Sequence, residues 1–473
     1  MTGGEFRALG HDLIDRIADF LETIAERPAA PHLTPQQARA RVGQDALPDS
    51  GADAGALLER AAALLFDGCR INGHPRSWGY IIGSPAPLGM LADLLASSVN
   101  PNLAAWNSAP VPTEIEAQAV RWIAELLGYP GDCGGLLVSG GNMANFVGFL
   151  TARRAKAPWD LRREGLAAPG QGRLRLYTSA ETHTWVEKAA DLFGLGSEAI
   201  RWVPADREQR MDAAALVRLV EADKAAGDLP FLLIGTAGTV STGAVDPLFR
   251  LAEIARAHDL WFHVDGAYGA PAVLAPSAPA ELAGLRLADS IAIDAHKWLY
   301  LPLEAGCALV RDRRALRNTF SYQPPYYHHH VDDREEVLHY FEYGPQNSRC
   351  FRALKVWLAL QRAGRSAYAE MIAGNIALSE RLHRRIAATP ELEAATQNLS
   401  ITTFRFVPQD LDPTAAEAYL NELNGALLTE LQRSGEAFLS NAVVDGRFLL
   451  RACITNFRST EADVDALPEI VLR

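Results

Sequence analysis

The feature that most constrains the fold is an alternation, between about Leu91 and Leu360, of helical periods with short runs of apolar residues. Turn-forming residues bound these runs, which are Gly135–Val138, Leu174–Tyr177, Phe231–Ile234, Leu260–Val264, Ser290–Ile293 and Cys307–Val310. Continuously apolar strands separated by helices predict an α/β domain with a mostly parallel central sheet covered by helices on both faces. In such sheets ligands bind beyond the carboxyl ends of the strands.

The flanking segments follow other patterns. Between Gly10 and Arg27 apolar residues recur at helical spacing, and a proline-rich arm with too few apolar residues for its own core follows. This arm must pack on its own chain or on a second subunit. Near the C-terminus, a helix is predicted from Arg365 to about Ala388, then strands over Leu399–Phe406 and Phe448–Ile454 that flank a helix from Thr414 to Arg433.

These patterns predict three segments in a chain of 473 residues, which is longer than one core usually supports. They are an N-terminal helical arm (1–84), a large α/β domain (85–362) and a small α+β domain (363–473). No internal repeat or low-complexity linker separates them.

Charge and cysteine usage restrict the partners. The net charge of −12, without a basic stripe, disfavours nucleic acid and acidic membrane surfaces. No apolar run is long enough to span a bilayer, and the acidic residues of the first helix do not match a signal peptide. The five cysteines are odd in number, widely spaced and never arranged as C-x-x-C, which favours a reducing cytoplasm over a disulfide framework or a zinc site.

A lysine and an aspartate lie directly beyond two of the predicted strands. Asp265 ends His263-Val-Asp265, and Lys297 follows the run Ser290–Ile293. An aldehyde cofactor needs an amine to hold it as a Schiff base, and a pyridine nitrogen that stays protonated needs an anion beside it. Each residue alone also suits a solvated lysine or a turn aspartate. As a pair, they indicate pyridoxal phosphate.

Three further features suit the same cofactor. Ser139-Gly-Gly-Asn-Met-Ala-Asn145 lies between a predicted strand and a helix, where free backbone N–H groups bind phosphate, although an ordinary glycine turn has the same composition. His183 follows another strand and could stack on a pyridine ring, or be an ordinary loop histidine. Ala267, two residues after Asp265, is small enough for the other ring face.

The order of these motifs resembles the group II pyridoxal-phosphate decarboxylases, which include the aromatic-L-amino-acid, histidine and glutamate decarboxylases. The resemblance covers nearly the whole chain. Besides His263-Val-Asp-Gly-Ala-Tyr268 and His296-Lys-Trp298, it rests on His74-Pro75, Met90-Leu-Ala-Asp93, Thr113-Glu-x-Glu116 and Phe351-Arg-Ala-Leu-Lys-Val-Trp357. Several blocks in one order are far more specific than any single motif.

This resemblance implies a fold-type I aminotransferase-like large domain, an N-terminal arm exchanged between subunits, and a homodimer with its active sites at the interface. It also implies that Lys297 binds pyridoxal 5'-phosphate covalently, that Asp265 pairs with the pyridine nitrogen, and that His183 stacks on the ring. The remaining cofactor-binding residues implied by it are Gly141, Asn142, Thr239, Ala267, Asp294 and His296. Thr239 is a substitute, because Val240 stands where family members commonly have a threonine.

The segment Phe320–His330 resembles the family's catalytic loop, in which a tyrosine returns a proton to the substrate after carbon dioxide leaves. Aligning the preceding proline places Tyr326 at that position, with the adjacent Tyr327 as the alternative. A surface lid without a proton role is the other interpretation. His328 to His330 are consecutive and cannot easily converge on one metal ion, so no metal is expected.

The resemblance assigns a substrate pocket to Asn72, Tyr80, Asn102, Ala104 and Trp106. Asn72 and Ala104 replace aromatic residues, and Asn102 an aliphatic residue, of the aromatic-specific enzymes, so apolar contact surface is lost and amide groups are gained. The expected activity is that of a carboxy-lyase which converts an L-amino acid, with an aromatic one favoured, to its amine.

Alternatives remain on the sequence alone. They are an acidic or aliphatic substrate, an aldehyde synthase on the same scaffold, an aminotransferase, and a non-catalytic dimeric protein.

Overall fold

The computed structural model of the chain describes residues 1–166, 172–322, 337–411 and 416–473. These residues form two compact units. The terminal unit comprises Met1–Tyr80, Leu378–Thr396 and Thr402–Arg473, and the central unit comprises Ile81–Ala377 and Gln397–Ile401. The terminal unit thus contains both ends of the chain, whereas the three-segment division 1–84, 85–362 and 363–473 remains a prediction about independent domains.

The helices of the described residues are numbered in chain order. They are α1 Gly3–Glu22, α2 Pro35–Val42, α3 Ala54–Gly68, α4 Pro87–Val99, α5 Pro110–Leu126, α6 Gly141–Lys156, α7 Leu161–Glu164, α8 Trp185–Leu192, α9 Ala213–Ala225, α10 Leu248–His258, α11 Ala295–Trp298, α12 Arg313–Phe320, α13 Ala353–Ala387, α14 Glu417–Ser434 and α15 Glu461–Leu472. Helix α1 begins at a capping box formed by Thr2 and Glu5, and α13 is kinked at Gly364. No helix in the described ranges has the length and apolar composition needed to cross a membrane.

The strands form two sheets. They are β1 Gly134–Val138, β2 Leu174–Ser179, β3 Ile200–Val203, β4 Leu229–Thr236, β5 Trp261–Asp265, β6 Ser290–Asp294, β7 Gly306–Val310, β8 Leu392–Asn398, β9 Ile401–Phe406, β10 Ser440–Val444 and β11 Arg447–Cys453. The large sheet has seven strands in the order β1-β7-β6-β5-β4-β2-β3, and the small sheet has four in the order β10-β11-β9-β8.

The large sheet is mostly parallel, which confirms the predicted α/β fold class. Strands β2 to β6 run parallel, and only β7 is antiparallel to both of its neighbours, β6 and β1. The carboxyl ends of β1, β6, β5, β4 and β2 therefore share one edge of the sheet. Strands β1, β5, β6 and β7 are buried at every residue, as their continuous apolar sequences require.

A buried ion pair completes the outer edge of β1. Glu116 of α5 accepts the Leu137 N–H at 2.8 Å, and Arg349 donates to the Leu137 carbonyl at 2.8 Å. The two side chains also pair with each other, and each is 1% exposed. They satisfy the backbone groups that an edge strand leaves open, two residues before the glycine turn.

Replacing Arg349 by methionine is expected to destabilise the protein by about 3–5 kcal/mol, because it leaves the Glu116 carboxylate buried without its cation. The shift of the urea midpoint measures the loss. Arg314→Met is the matched control, since the Arg314–Asp312 pair is exposed and contributes about 0–1 kcal/mol. Equal midpoints for the two variants would contradict the stabilising role of the buried pair.

Candidate active site

The carboxyl edge of the large sheet carries a cavity of about 670 Å³ within the central unit. This volume lies in the range of small-molecule sites, roughly 300–1,000 Å³. Eight residues that were assigned to the site from the sequence line it, namely Gly141, Asn142, His183, Asp265, Ala267, Asp294, His296 and Lys297. The topology explains their convergence, because most of them end or follow the strands β1, β2, β5 and β6.

Lys297 presents its amine to this cavity from the short helix α11, one turn beyond β6. Its Nζ lies 2.9 Å from Asp294 Oδ2, and its side chain is 21% exposed. Asp294 is the last residue of β6 and is buried. The amine is thus accessible from the cavity while an adjacent carboxylate balances its charge.

Asp265, the last residue of β5, is held by two N–H donors. Its Oδ1 accepts the Ala267 backbone N–H at 3.1 Å, and its Oδ2 accepts the Trp185 indole N–H at 2.7 Å. Its exposed fraction is 7%. Hydrogen bonds of this kind stabilise the ionised carboxylate, so Asp265 can place a fixed negative charge against a cationic ligand group.

The two histidines that line the cavity among the described residues are held in the same tautomer. The Trp185 backbone N–H donates to His183 Nδ1 at 3.2 Å, and the Ala305 N–H donates to His296 Nδ1 at 3.1 Å. Partial desolvation lowers the pKa of His183 despite the opposing effect of Asp265, and burial lowers the pKa of His296 despite Asp294. Both rings are therefore neutral near pH 7 and carry their proton on Nε2, where it can be donated.

The start of α6 forms an anion-binding site in which two positions, Gly140 and Gly141, require glycine. Ala144 N–H makes the first helical bond, to Gly140 C=O at 2.9 Å, so the N–H groups at the helix start are left for a ligand. Gly140 has a φ of 143°, which L side chains rarely adopt. A Cβ on Gly141 would lie 2.5 Å from Asp294 Oδ2 and 3.3 Å from Ala267 Cβ.

These residues fit pyridoxal phosphate. The helix start would offer N–H groups to the phosphate, Lys297 would offer an amine to the aldehyde, and Asp265 would offer a carboxylate to the pyridine nitrogen. One oxygen of Asp294, Oδ1, is buried without a hydrogen-bond partner among the described residues, so it is available to a ligand or its ordered water.

Thr239 is not among the residues that line the cavity. It is fully buried, and its hydroxyl lies 3.0 Å from the hydroxyl of Thr242. Within the part of the chain that the structure describes, the threonine that lines the cavity is Thr236, the last residue of β4. Gly238, with a φ of 94°, turns the chain between them, so Val240 rather than Thr239 faces the cavity. Thr236 could have been found from its place at a strand end.

The residues assigned to the substrate pocket are placed as follows. Asn102 Oδ1 accepts the Arg349 N–H at 3.0 Å, Ala104 C=O accepts the Phe341 N–H at 3.1 Å, and Trp106 Nε1 donates to Glu114 at 2.9 Å. None of the three is among the residues that line the cavity.

Asn72 and Tyr80 belong to the terminal unit, where Asn72 accepts a hydrogen bond from Arg70. Tyr80 is 58% exposed, and its ring centroid lies 5.0 Å from the Arg70 guanidinium. The pocket assignment therefore remains a prediction for all five residues. Tyr326, Tyr327 and His328 to His330 lie outside the described residues.

Known proteins share both the sequence and the architecture. Residues 35–407 match the family model of the pyridoxal-dependent decarboxylase conserved domain. An aromatic-L-amino-acid decarboxylase from Bacillus atrophaeus is 32% identical over 465 residues, which cover 98% of this chain and 94% of the relative. A phenylacetaldehyde synthase from Petunia hybrida is 29% identical over 461 residues, 95% of this chain and 90% of the relative.

Among solved structures, that of Oryza sativa TDC with PLP and tryptamine superimposes with a TM-score of 0.92 and 27% sequence identity. The match covers 100% of this chain and 98% of that one. The similarity therefore extends over the whole chain and includes both sheets.

Proposed function

The chain belongs to the pyridoxal-dependent decarboxylase family, and from this premise we propose that it removes the α-carboxyl group of an aromatic L-amino acid to give the amine and carbon dioxide. The resemblance inferred from the motifs is thereby confirmed, as are the fold-type I architecture, the cofactor and the class of PLP-dependent amino-acid decarboxylase. The observation that carries the proposal is the presence of Lys297, Asp265 and the start of α6 at a single cavity.

When bound, pyridoxal phosphate accepts the electrons of the breaking bond into its protonated pyridine ring. Three parts of the chain supply the contacts that this chemistry requires. Lys297 supplies the amine that holds the aldehyde and gives way to the substrate amine, and Asp265 supplies the charge that keeps the pyridine nitrogen protonated. The start of α6 anchors the phosphate and so fixes the register of the other two contacts.

The neutral His183 has a positioning and donor role. His183 lines the cavity, and because its Nδ1 accepts the Trp185 N–H, its Nε2–H is left to donate a hydrogen bond to the substrate carboxylate without adding a full positive charge. A cation at the position of His183 would stabilise the substrate carboxylate in the ground state and so oppose the loss of carbon dioxide. On this proposal Tyr326 then donates a proton to the α carbon, as the resemblance of its loop implies.

The substrate class rests on two observations. The Bacillus atrophaeus relative acts on aromatic L-amino acids, and apolar side chains of Ile81, Val240 and Leu303 line the cavity beside the polar residues. A panel of aromatic, acidic and aliphatic L-amino acids, scored for amine and carbon dioxide together, tests the proposal. If an acidic or aliphatic substrate has the highest kcat/KM, that class replaces the aromatic assignment. If no substrate releases carbon dioxide, decarboxylation is refuted.

An aldehyde synthase is the second candidate, because the Petunia hybrida relative is a phenylacetaldehyde synthase of 29% identity. Such a reaction consumes oxygen, whereas simple decarboxylation does not. Measuring oxygen uptake alongside amine formation separates the two candidates. Tyr326 favours the amine, as the resemblance implies.

We further propose a cytoplasmic homodimer with active sites at its interface and with the arm of residues 1–84 exchanged between subunits. An apolar face of α4 supports self-association, since Leu91, Leu94, Leu95 and Val99 recur at helical spacing and are 51–69% exposed. Light scattering of the purified protein tests the assembly. A monomer at micromolar concentration would refute it.

Gly141→Ala is expected to weaken cofactor binding at least tenfold, because the added Cβ would lie 2.5 Å from Asp294 Oδ2 at the phosphate end of the cavity. Reconstitution of the apoenzyme with pyridoxal phosphate, followed by absorbance, measures the dissociation constant. Gly374→Ala is the control, since nothing lies within 4 Å of its added Cβ and alanine suits helix α13. An unchanged dissociation constant for Gly141→Ala would place the phosphate elsewhere.

A further inference from the structure

Trp185 makes a contact with the cofactor-binding aspartate that no motif indicates. Its indole Nε1–H donates to Asp265 Oδ2 at 2.7 Å, across 80 positions of sequence. Trp185 is the first residue of α8, two residues after His183, and its side chain is 0% exposed. The hydrogen bond is therefore shielded from water, where bonds to a charged group are strongest.

The two donors to Asp265 differ in what they fix. The Ala267 N–H on Oδ1 belongs to the same strand end and moves with Asp265. The Trp185 N–H on Oδ2 comes from a separate helix and fixes the rotation of the carboxylate about its side chain. No Lys or Arg pairs with Asp265 among the described residues, so these neutral donors are what stabilise its charge.

The other side of the Trp185 ring meets a histidine that stays neutral. The ring centroids of Trp185 and His263 are 5.8 Å apart in an edge-to-face arrangement. His263 Nε2 lies 2.8 Å from Asn145 Oδ1, and His263 Nδ1 lies 2.8 Å from Ser290 Oγ. Burial lowers the pKa of His263 to about 4.

This arrangement fixes the proton of His263. The Asn145 oxygen only accepts, so His263 Nε2 carries the hydrogen, and Ser290 donates to Nδ1. The neutral imidazole places no cation near Asp265 that would compete for its charge. Gly148 of α6 permits the close approach, since a Cβ there would lie 2.6 Å from His263 Cε1.

We propose that Trp185 is a positioning residue of the decarboxylation reaction, whose indole N–H keeps Asp265 ionised and oriented so that the cofactor's pyridine nitrogen stays protonated. This inference rests on the proposed pairing of Asp265 with that nitrogen. Without the indole donor, a largely buried carboxylate loses half of its hydrogen bonds, and the proton shared with the pyridine nitrogen moves towards Asp265.

The test uses holoenzyme reconstituted with pyridoxal phosphate labelled with nitrogen-15 in the ring, which reports protonation directly and needs no turnover. In Trp185→Phe the nitrogen-15 resonance is expected to move from the protonated towards the unprotonated position. The cofactor dissociation constant is expected to rise roughly tenfold, the scale of one hydrogen bond to a charged group.

A second variant removes only the hydrogen bond. Site-specific incorporation of 3-benzothienylalanine at position 185 replaces the indole N–H by sulfur and keeps the shape of the ring, so it tests the inference even if Trp185→Phe fails to fold. The same shift of the nitrogen-15 resonance is expected. A resonance that stays at the protonated position in this variant overturns the inference.

Trp78→Phe is the matched control. Trp78 is also a fully buried indole, it belongs to the terminal unit, and its Nε1–H donates to Ser459 Oγ at 3.0 Å rather than to Asp265. Trp78→Phe is expected to lower thermal stability and leave the nitrogen-15 resonance unchanged. A shift in Trp78→Phe equal to that in Trp185→Phe would attribute the effect to general loosening and overturn the inference.

Asp265→Asn separates this inference from the proposed function. If Asp265→Asn leaves the resonance protonated, the assignment of Asp265 to the cofactor fails. If Asp265→Asn shifts it and neither change at position 185 does, only the role of Trp185 fails.

Discussion

Lys297→Ala is expected to lower kcat by roughly 10³-fold or more, because the variant loses both the amine that binds the cofactor covalently and the proton transfers made by that amine. On the proposed function, the amine of Lys297 both holds the cofactor aldehyde and displaces the product. No other lysine lines the cavity within the described part of the chain. Carbon dioxide release at saturating substrate measures the loss.

A chemical readout accompanies this kinetic one. Borohydride reduction makes the bond between cofactor and lysine permanent, so peptide mass mapping of the wild type should find the cofactor on Lys297. Lys224→Ala is the control, because Lys224 is exposed on α9, its amine donates to the His258 carbonyl, and its loss should leave both labelling and turnover intact. Steady-state decarboxylation by Lys297→Ala at a rate near wild type would refute the assignment.

The sheet was largely predictable because its strands are apolar at consecutive residues. All six apolar runs of the predicted α/β domain form strands, and the strand boundaries lie within about two residues of the prediction. The edge strand β3 was missed, since it has only four residues and Trp202 within it is 41% exposed. The predicted strand Leu399–Phe406 begins later, at Ile401, because Leu399 has a φ of 48° in the turn after β8.

The site residues that could be predicted from the sequence are those that lie at the end of a strand or just beyond it. Asp265, Asp294 and Lys297 converge because the carboxyl ends of parallel strands share an edge, and the motif spacing places them there. Contacts between distant segments leave no such signal. The bond from Trp185 to Asp265 joins the start of α8 to the end of β5, 80 positions apart, and the position of Thr239 outside the cavity depends on the turn at Gly238.

Tyr326→Phe is expected to change the product rather than abolish the loss of carbon dioxide. Without the phenol, the carbanionic α carbon is protonated slowly and reacts with oxygen instead. The balanced reaction converts the amino acid, oxygen and water to aldehyde, carbon dioxide, ammonia and hydrogen peroxide. Aldehyde is expected to become the main product, because a positioned acid contributes roughly 10²–10⁴-fold to a proton transfer. Amine, aldehyde, peroxide and oxygen uptake are measured together.

Tyr327→Phe is the matched control, because it removes the same hydroxyl one position along the loop and tests the alignment that selects Tyr326. If the adjacent tyrosine is the donor, the change of product will follow Tyr327→Phe alone. If neither variant consumes oxygen and both retain the amine as sole product, the loop has no proton role. Because Lys297 and Asp265 remain intact in both variants, carbon dioxide release should persist in each. A fall of carbon dioxide and aldehyde together would therefore indicate impaired substrate binding rather than a missing acid.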